Sequence, residues 1–178
     1  MANPISVLNR AADNNRILAA ASVEKAKSGH PGGAMGGADF INVLYSEYLK
    51  YDPKDPSWAG RDRFFLDPGH MAPMLYSQLC LAGKFTLDEL ANLRQWDAPT
   101  TGHPELNVAR GIENTSGPLG QGHVLAIGAA IAASSWPPAP ATRPSPARPS
   151  TPTSPTAASR RRSARAAPAS PPSSGWTT

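Results

Sequence analysis

Four histidines stand in the 178-residue sequence, and each follows a glycine: Gly29-His30, Gly69-His70, Gly102-His103 and Gly122-His123. Glycine lets backbone come close to a ligand, and imidazole gives or takes a proton near neutral pH. Loops of this kind suit a polar small-molecule site. They equally suit turns in which the imidazole caps backbone groups, and a single Gly-His pair does not separate the two. Zinc is disfavoured by spacing: intervals of 40, 33 and 20 residues lack the close pairing of zinc motifs, and Cys80 is the only cysteine.

Three of the histidines lie in longer strings. In chain order the informative strings are Lys27-Ser28-Gly29-His30-Pro31-Gly32-Gly33, Arg61-Asp62-Arg63-Phe64-Phe65-Leu66-Asp67-Pro68-Gly69-His70, Gly102-His103-Pro104-Glu105 and Gly117-Pro118-Leu119-Gly120-Gln121-Gly122. Together they resemble the successive motifs of the transketolase family over residues 1–133. Another thiamine-dependent ketol-transfer enzyme is the nearest competitor, and the third and fourth strings favour transketolase. The chain departs from the family pattern at Asp67-Pro68, where Ser-Asn or Ser-Lys is common, and at His123, where an apolar residue is usual.

The resemblance implies a fold, an activity and a set of site residues. The fold is α/β, a parallel sheet between helices, of which this chain would form an incomplete thiamine-diphosphate-binding portion with its first helices and first strand. The activity is transfer of a two-carbon ketol unit from a ketose phosphate to an aldose phosphate, with thiamine diphosphate and Mg2+ or another divalent ion as cofactors, in a homodimer. By position, His30 and His103 are the catalytic proton donors or acceptors near the sugar. His70 lies by the thiazolium and diphosphate, and Gly117 and Leu119 receive the aminopyrimidine. Pro118 fixes that turn by locking φ. His123 reads as structural, as do Arg63, Glu105, Glu113 and Asn114, while Asp62 and Arg63 read as a solvated ion pair. The family's Gly-Asp-Gly and later Asn, which hold the metal, are not found, nor is the second domain with its activating Glu. The chain is therefore expected to carry no metal ligands and to be inactive alone.

These residues must be positioned by a mainly helical framework. Ile5 to Lys27 lacks Gly and Pro and repeats its apolar residues at helical spacing, which predicts a long helix. A Gly-rich connector spans Gly29 to Gly37. A second helix puts Ile41, Leu44, Tyr45, Tyr48 and Leu49 on one side. Arg61 to Asp67 reads as a short buried strand, and Ala72 to Leu81 as a helix. Thr86 and Glu89 form a capping box that opens a helix from Leu87 to about Gln95. An ordered loop region covers Trp96 to Gly122, and Val124 to Ala133 forms a close-packed apolar helix.

Composition divides the chain at Ala133. Residues 134–178 hold eleven Pro, ten Ser, nine Ala, six Thr and six Arg, with no Asp, Glu or Lys and no Leu, Ile, Val, Met or Phe. Such a segment is disordered by composition, and its abrupt start suggests a frameshifted reading of GC-rich DNA, which rereading the coding sequence past Ala133 would test. It also makes the chain basic: residues 1–133 carry 11 basic against 13 acidic residues, net −2. The basic pI is thus no argument for nucleic acid. The alternative reading is a non-catalytic fragment whose arm, with Arg160, Arg161, Arg162 and Arg165, binds polyanions weakly. A single cysteine and the absence of an apolar leader or membrane-length segment favour a cytoplasmic, membrane-free setting.

Overall fold

The computed structural model describes residues 3–135; the proposed tail lies outside the described residues, except for Ser134 and Ser135. Helix α1, Ile5–Ala26, ends where Lys27 adopts a left-handed conformation (φ 49°). Ala12, Asn15, Ala19, Ser22 and Val23 form its buried face. They recur at intervals of three and four residues, and most are small enough to let another helix approach closely. That helix is α4, Ala72–Leu81, in which every residue from Ala72 to Leu79 is buried. A helix apolar all round belongs in the middle of a fold, and α4 is packed by α1, by α2 (Pro31–Gly36), by α3 (Ala38–Val43) and by α5 (Leu87–Ala91).

The Gly-rich connector is thus a helix instead of a loop. Pro31 pre-sets φ for the first turn. Two of its glycines serve packing: a Cβ on Gly37 would stand 2.4 Å from Met74 Sδ, and one on Gly33 would stand 3.0 Å from Met71 Cγ. Composition reads such a run as flexible, whereas contact with α4 makes it helical.

Beyond α3 the chain widens into a π-helical turn, Leu44–Tyr48, closed by Leu49 N–H donating to Leu44 O at 2.8 Å. This keeps Ile41, Tyr45 and Leu49 in the core but turns Tyr48 out to 61% exposure. The capping box forms as expected, with Glu89 N–H to Thr86 Oγ1 at 3.1 Å and Thr86 N–H to Glu89 Oε2 at 2.8 Å. Helix α5 nonetheless stops at Ala91, because Arg94 is left-handed (φ 62°) and donates its N–H to Thr100 O.

The expected strand does not form. Phe64, Phe65 and Leu66 are buried, as their apolar run demands, but among the described residues there is no β-strand, only an isolated bridge between Asn107 and Ile112. A strand needs a ladder partner, and here a side chain occupies that place. Leu66 N–H donates to Asn114 Oδ1 at 3.0 Å, and Leu66 O accepts from Asn114 Nδ2 and Ser116 Oγ, both at 3.2 Å. The sheet of the expected α/β fold is therefore not present in this portion. Replacing Asn114 by Ala would leave the Leu66 N–H buried and unpaired, so urea unfolding should show a loss of about 1–3 kcal/mol.

The last helix, α6, Gln121–Ser135, also differs from expectation. Only Gly122 and Ala126 are buried, while Val124, Leu125, Ile127 and Ile131 are exposed. Its small apolar residues suit close packing, but among the described residues only its first turns find a neighbour. No described helix is long and apolar enough to cross a membrane.

Candidate functional site

The Gly-His turns gather where α2 and α4 begin. His30 is the residue preceding Pro31 at the start of α2. His70 sits in a 3-10 turn, Gly69–Met71, that runs directly into α4. Their rings lie 4.8 Å apart, tilted by 50°. His103 comes from the loop after α5. It abuts the same turn, for a Cβ built on Gly69 would stand 3.1 Å from His103 Cδ2 and 2.8 Å from Ser116 Oγ. Gly69 thus admits two loops at once.

The His103 loop is fastened from below through its backbone. Thr101 Oγ1 donates to His103 O at 2.5 Å, and the buried Tyr76 hydroxyl reaches the same oxygen at 3.4 Å and Thr101 Oγ1 at 3.1 Å. Burial pushes the Tyr76 phenol up to about 12, only partly offset by its hydrogen bond to Thr101, so it remains a proton donor. The imidazole of His103 is left exposed, as is that of His30.

His70 is half-buried, and its pKa is lowered from the usual value by burial first and then by His30 and His103, with Asp67 opposing. At neutral pH it is therefore a neutral ring. The sign for stability follows: the native state holds the proton less tightly than the unfolded chain, so stability is full above about 6.5 and falls as pH drops through the native value. His70→Ala should flatten that part of the acid limb in urea midpoints measured against pH, while His30→Ala should move the His70 ring titration, followed by NMR, upward.

Ser116 leads straight into Gly117-Pro118-Leu119. Gly117 is half-buried, Pro118 is exposed, and Leu119 is 75% exposed. The turn ends at Gly120 (φ 87°), whose N–H donates to Asp67 Oδ1 at 3.2 Å. His123 belongs to a different set from the other three histidines: it leaves the cluster and meets the second carboxylate oxygen of Asp67 through Nδ1.

Two residues at this end were given no site role by the sequence, Asp67 being marked only as a departure from the family pattern and Arg94 not at all. Asp67 is 2% exposed and joins the His70 turn to the Gly117–Gly120 turn. Arg94 donates through Nη1 to Ser28 Oγ at 2.9 Å, and a Cβ on Gly102 would stand 3.0 Å from its Nε, so it bridges the loops of His30 and His103. A left-handed backbone at a residue with a long side chain is not visible in spacing. The expected Asp62–Arg63 pair is absent: Asp62 accepts from Lys50 N–H at 2.9 Å, and Arg63 approaches Glu113 at 3.8 Å. Adjacent residues in an extended run point to opposite sides, which separates them. Glu113, read as scaffold, is the buried partner of Arg61.

A family model, that of the transketolase thiamine diphosphate binding domain, matches residues 7–143. The chain belongs to the transketolase family. It is 52% identical over 122 residues to the transketolase of Rhodobacter capsulatus, covering 67% of this chain and 18% of that one. It is 51% identical over 118 residues to Transketolase 1 of Escherichia coli, covering 66% and 18%. Among solved structures, transketolase from Campylobacter jejuni superposes with a TM-score of 0.69 at 45% identity, over 74% of this chain and 21% of that one. A Pichia stipitis transketolase in complex with sedoheptulose-7-phosphate gives 0.67 at 38% identity, over 72% and 19%. The chain thus spans under a fifth of the length of these curated relatives, at the amino-terminal thiamine-diphosphate-binding domain of the transketolase pattern.

Proposed function

We propose that this chain supplies the histidine-bearing part of a transketolase active site, acting in transfer of a two-carbon ketol unit between sugar phosphates. The observation that carries the reading is the convergence of His30, His70 and His103 beside the Gly117-Pro118-Leu119 turn, from four segments distant in sequence. His30 and His103, with exposed rings, hold and move protons at hydroxyl and carbonyl oxygens of the sugar. His70, Gly117, Pro118 and Leu119 would hold thiamine diphosphate, and a neutral His70 would add no positive charge to the site.

The residues present suit the organic cofactor. An exposed Leu119 gives an aromatic ring apolar support, the half-buried Gly117 leaves backbone within reach, and the Gly69 gap brings imidazoles to one place. When bound, thiamine diphosphate supplies the carbon centre that carries the two-carbon unit. The divalent ion is a different matter. Among the described residues no three His, Cys, Asp or Glu side chains gather to hold one, and no step is assigned to it. We infer that the chain alone does not turn over, and that sugar phosphates, metal and a dimer partner are met in a larger assembly. The Pichia stipitis complex with sedoheptulose-7-phosphate supports the substrate class.

The test is a chimera in which the matched stretch of the Escherichia coli relative is replaced by that of this chain. At 51% identity the substituted segment should be accepted. Ketol transfer by the chimera is expected. A chimera that folds and binds thiamine diphosphate but transfers no ketol unit would overturn the assignment of His30 and His103.

A further inference from the structure

We propose that Asp67 and His123 form a clasp that sets the Gly117–Gly120 turn against the His70 turn, which makes both of them positioning residues of the site. Its purpose rests on the thiamine diphosphate reading above; its existence as a coupled pair does not.

Asp67 is 2% exposed and lies two residues before Gly69, where the His70 turn starts. A buried carboxylate is stable only when its oxygens are supplied with donors. Both oxygens here go to one place, the junction between the Gly117–Gly120 turn and α6. Oδ1 accepts from Gly120 N–H at 3.2 Å, and Oδ2 meets His123 Nδ1. A carboxylate only accepts, so Nδ1 carries the hydrogen.

The two bonds hold the junction from both sides. Gly120, left-handed at φ 87°, is the residue at which the chain turns into α6, and His123 stands in the first turn of that helix. Between them Gly122 has no free space: a Cβ there would fall 2.5 Å from Leu66 O and 2.6 Å from Asp67 Cβ. The helix start is therefore seated on Leu66-Asp67, and the clasp prevents it from sliding along that segment. The two segments are 53 residues apart in sequence, so local structure does not impose their register. Asp67 also acts electrostatically on His70, opposing the pKa-lowering effects of burial and of the neighbouring rings. One side chain thereby addresses both the turn of Leu119 and the ring of His70.

The test uses the full chain and amide hydrogen exchange at Gly120, with Leu79 of α4 as the internal reference. His123→Ala is expected to speed exchange at Gly120 about tenfold or more while leaving Leu79 unchanged, since one hydrogen bond of the clasp is lost locally. His123→Asn should stay within about threefold of the parent, because its carboxamide N–H can occupy the place of Nδ1. The double variant Asp67→Ala/His123→Ala should have a higher urea midpoint than His123→Ala alone, since it removes the buried charge that the single change strands. Equal acceleration at Gly120 and Leu79, equal exchange in the Asn and Ala variants, or a double variant no more stable than the single would each overturn the clasp. If His123→Ala does not fold, folding of His123→Asn and of the double variant supports the clasp, and failure of both overturns it. No arm uses cofactor, so failure of the thiamine diphosphate reading shows only in the chimera.

Discussion

In the transketolase chimera, His103→Ala is expected to lower kcat by about 10²–10⁴-fold, the usual contribution of a positioned general acid or base. The same substitution should leave the urea midpoint nearly unchanged. The loop is held through its carbonyl, by Thr101 Oγ1 and the Tyr76 hydroxyl, and the imidazole itself is exposed. Alanine therefore removes the imidazole proposed to carry the proton and keeps its mounting. His30→Ala should cost a comparable factor but differ in pH behaviour. The His30 ring stands 4.8 Å from that of His70 and helps to lower its pKa, so its removal should shift the acid limb of the kcat profile upward, toward the ordinary histidine value. A fall of less than about tenfold for His103→Ala would remove it from proton transfer.

Much of this arrangement could be read from residue types. The capping box at Thr86 and Glu89, the α1 face through Ala12, Ala19 and Val23, and the buried run at Phe64 to Leu66 all follow from local pattern. What failed did so wherever a tertiary contact outranks local preference. The run from Gly32 to Gly37 spells a loop until α4 is laid beside it, with Gly37 set against Met74 and Gly33 against Met71. Phe64 to Leu66 spell a strand until the partner proves to be one carboxamide, Asn114, supplied from 48 residues away. That His30, His70 and His103 belong to three distinct turns was legible because glycine and histidine stand there in pairs. Arg94 was not, and Asp67 stood out only as a departure from the family pattern: both reach across to segments that spacing does not connect, Ser28 in one case and Gly120 in the other.

Arg61→Ala should be the most damaging single change to stability, costing about 3–5 kcal/mol by urea unfolding, because it strands a buried carboxylate. Arg61 and Glu113 side chains are 9% and 8% exposed. They pair as a fork, with Nε to Oε1 at 2.6 Å and Nη2 to Oε2 at 3.0 Å, while Nη1 donates to the carbonyls of Ser57 and Trp58. Lysine cannot supply that planar set of donors, so Arg61→Lys should recover only part of the loss. The stranded Glu113 would also face Tyr45, whose phenol burial already pushes up, ahead of smaller contributions from Tyr51 and Glu113. Replacing both partners by apolar residues of similar volume should cost less than Arg61→Ala alone, and a loss below about 1 kcal/mol for Arg61→Ala would mean the pair is solvated. The consequence reaches the site by a short path. Glu113 precedes Asn114, whose carboxamide holds Leu66, and Leu66 precedes Asp67, which holds Gly120 and His123. An ion pair outside the histidine cluster thereby holds the segment that leads into it, so Arg61→Ala should also raise amide exchange at Gly120 before the core opens.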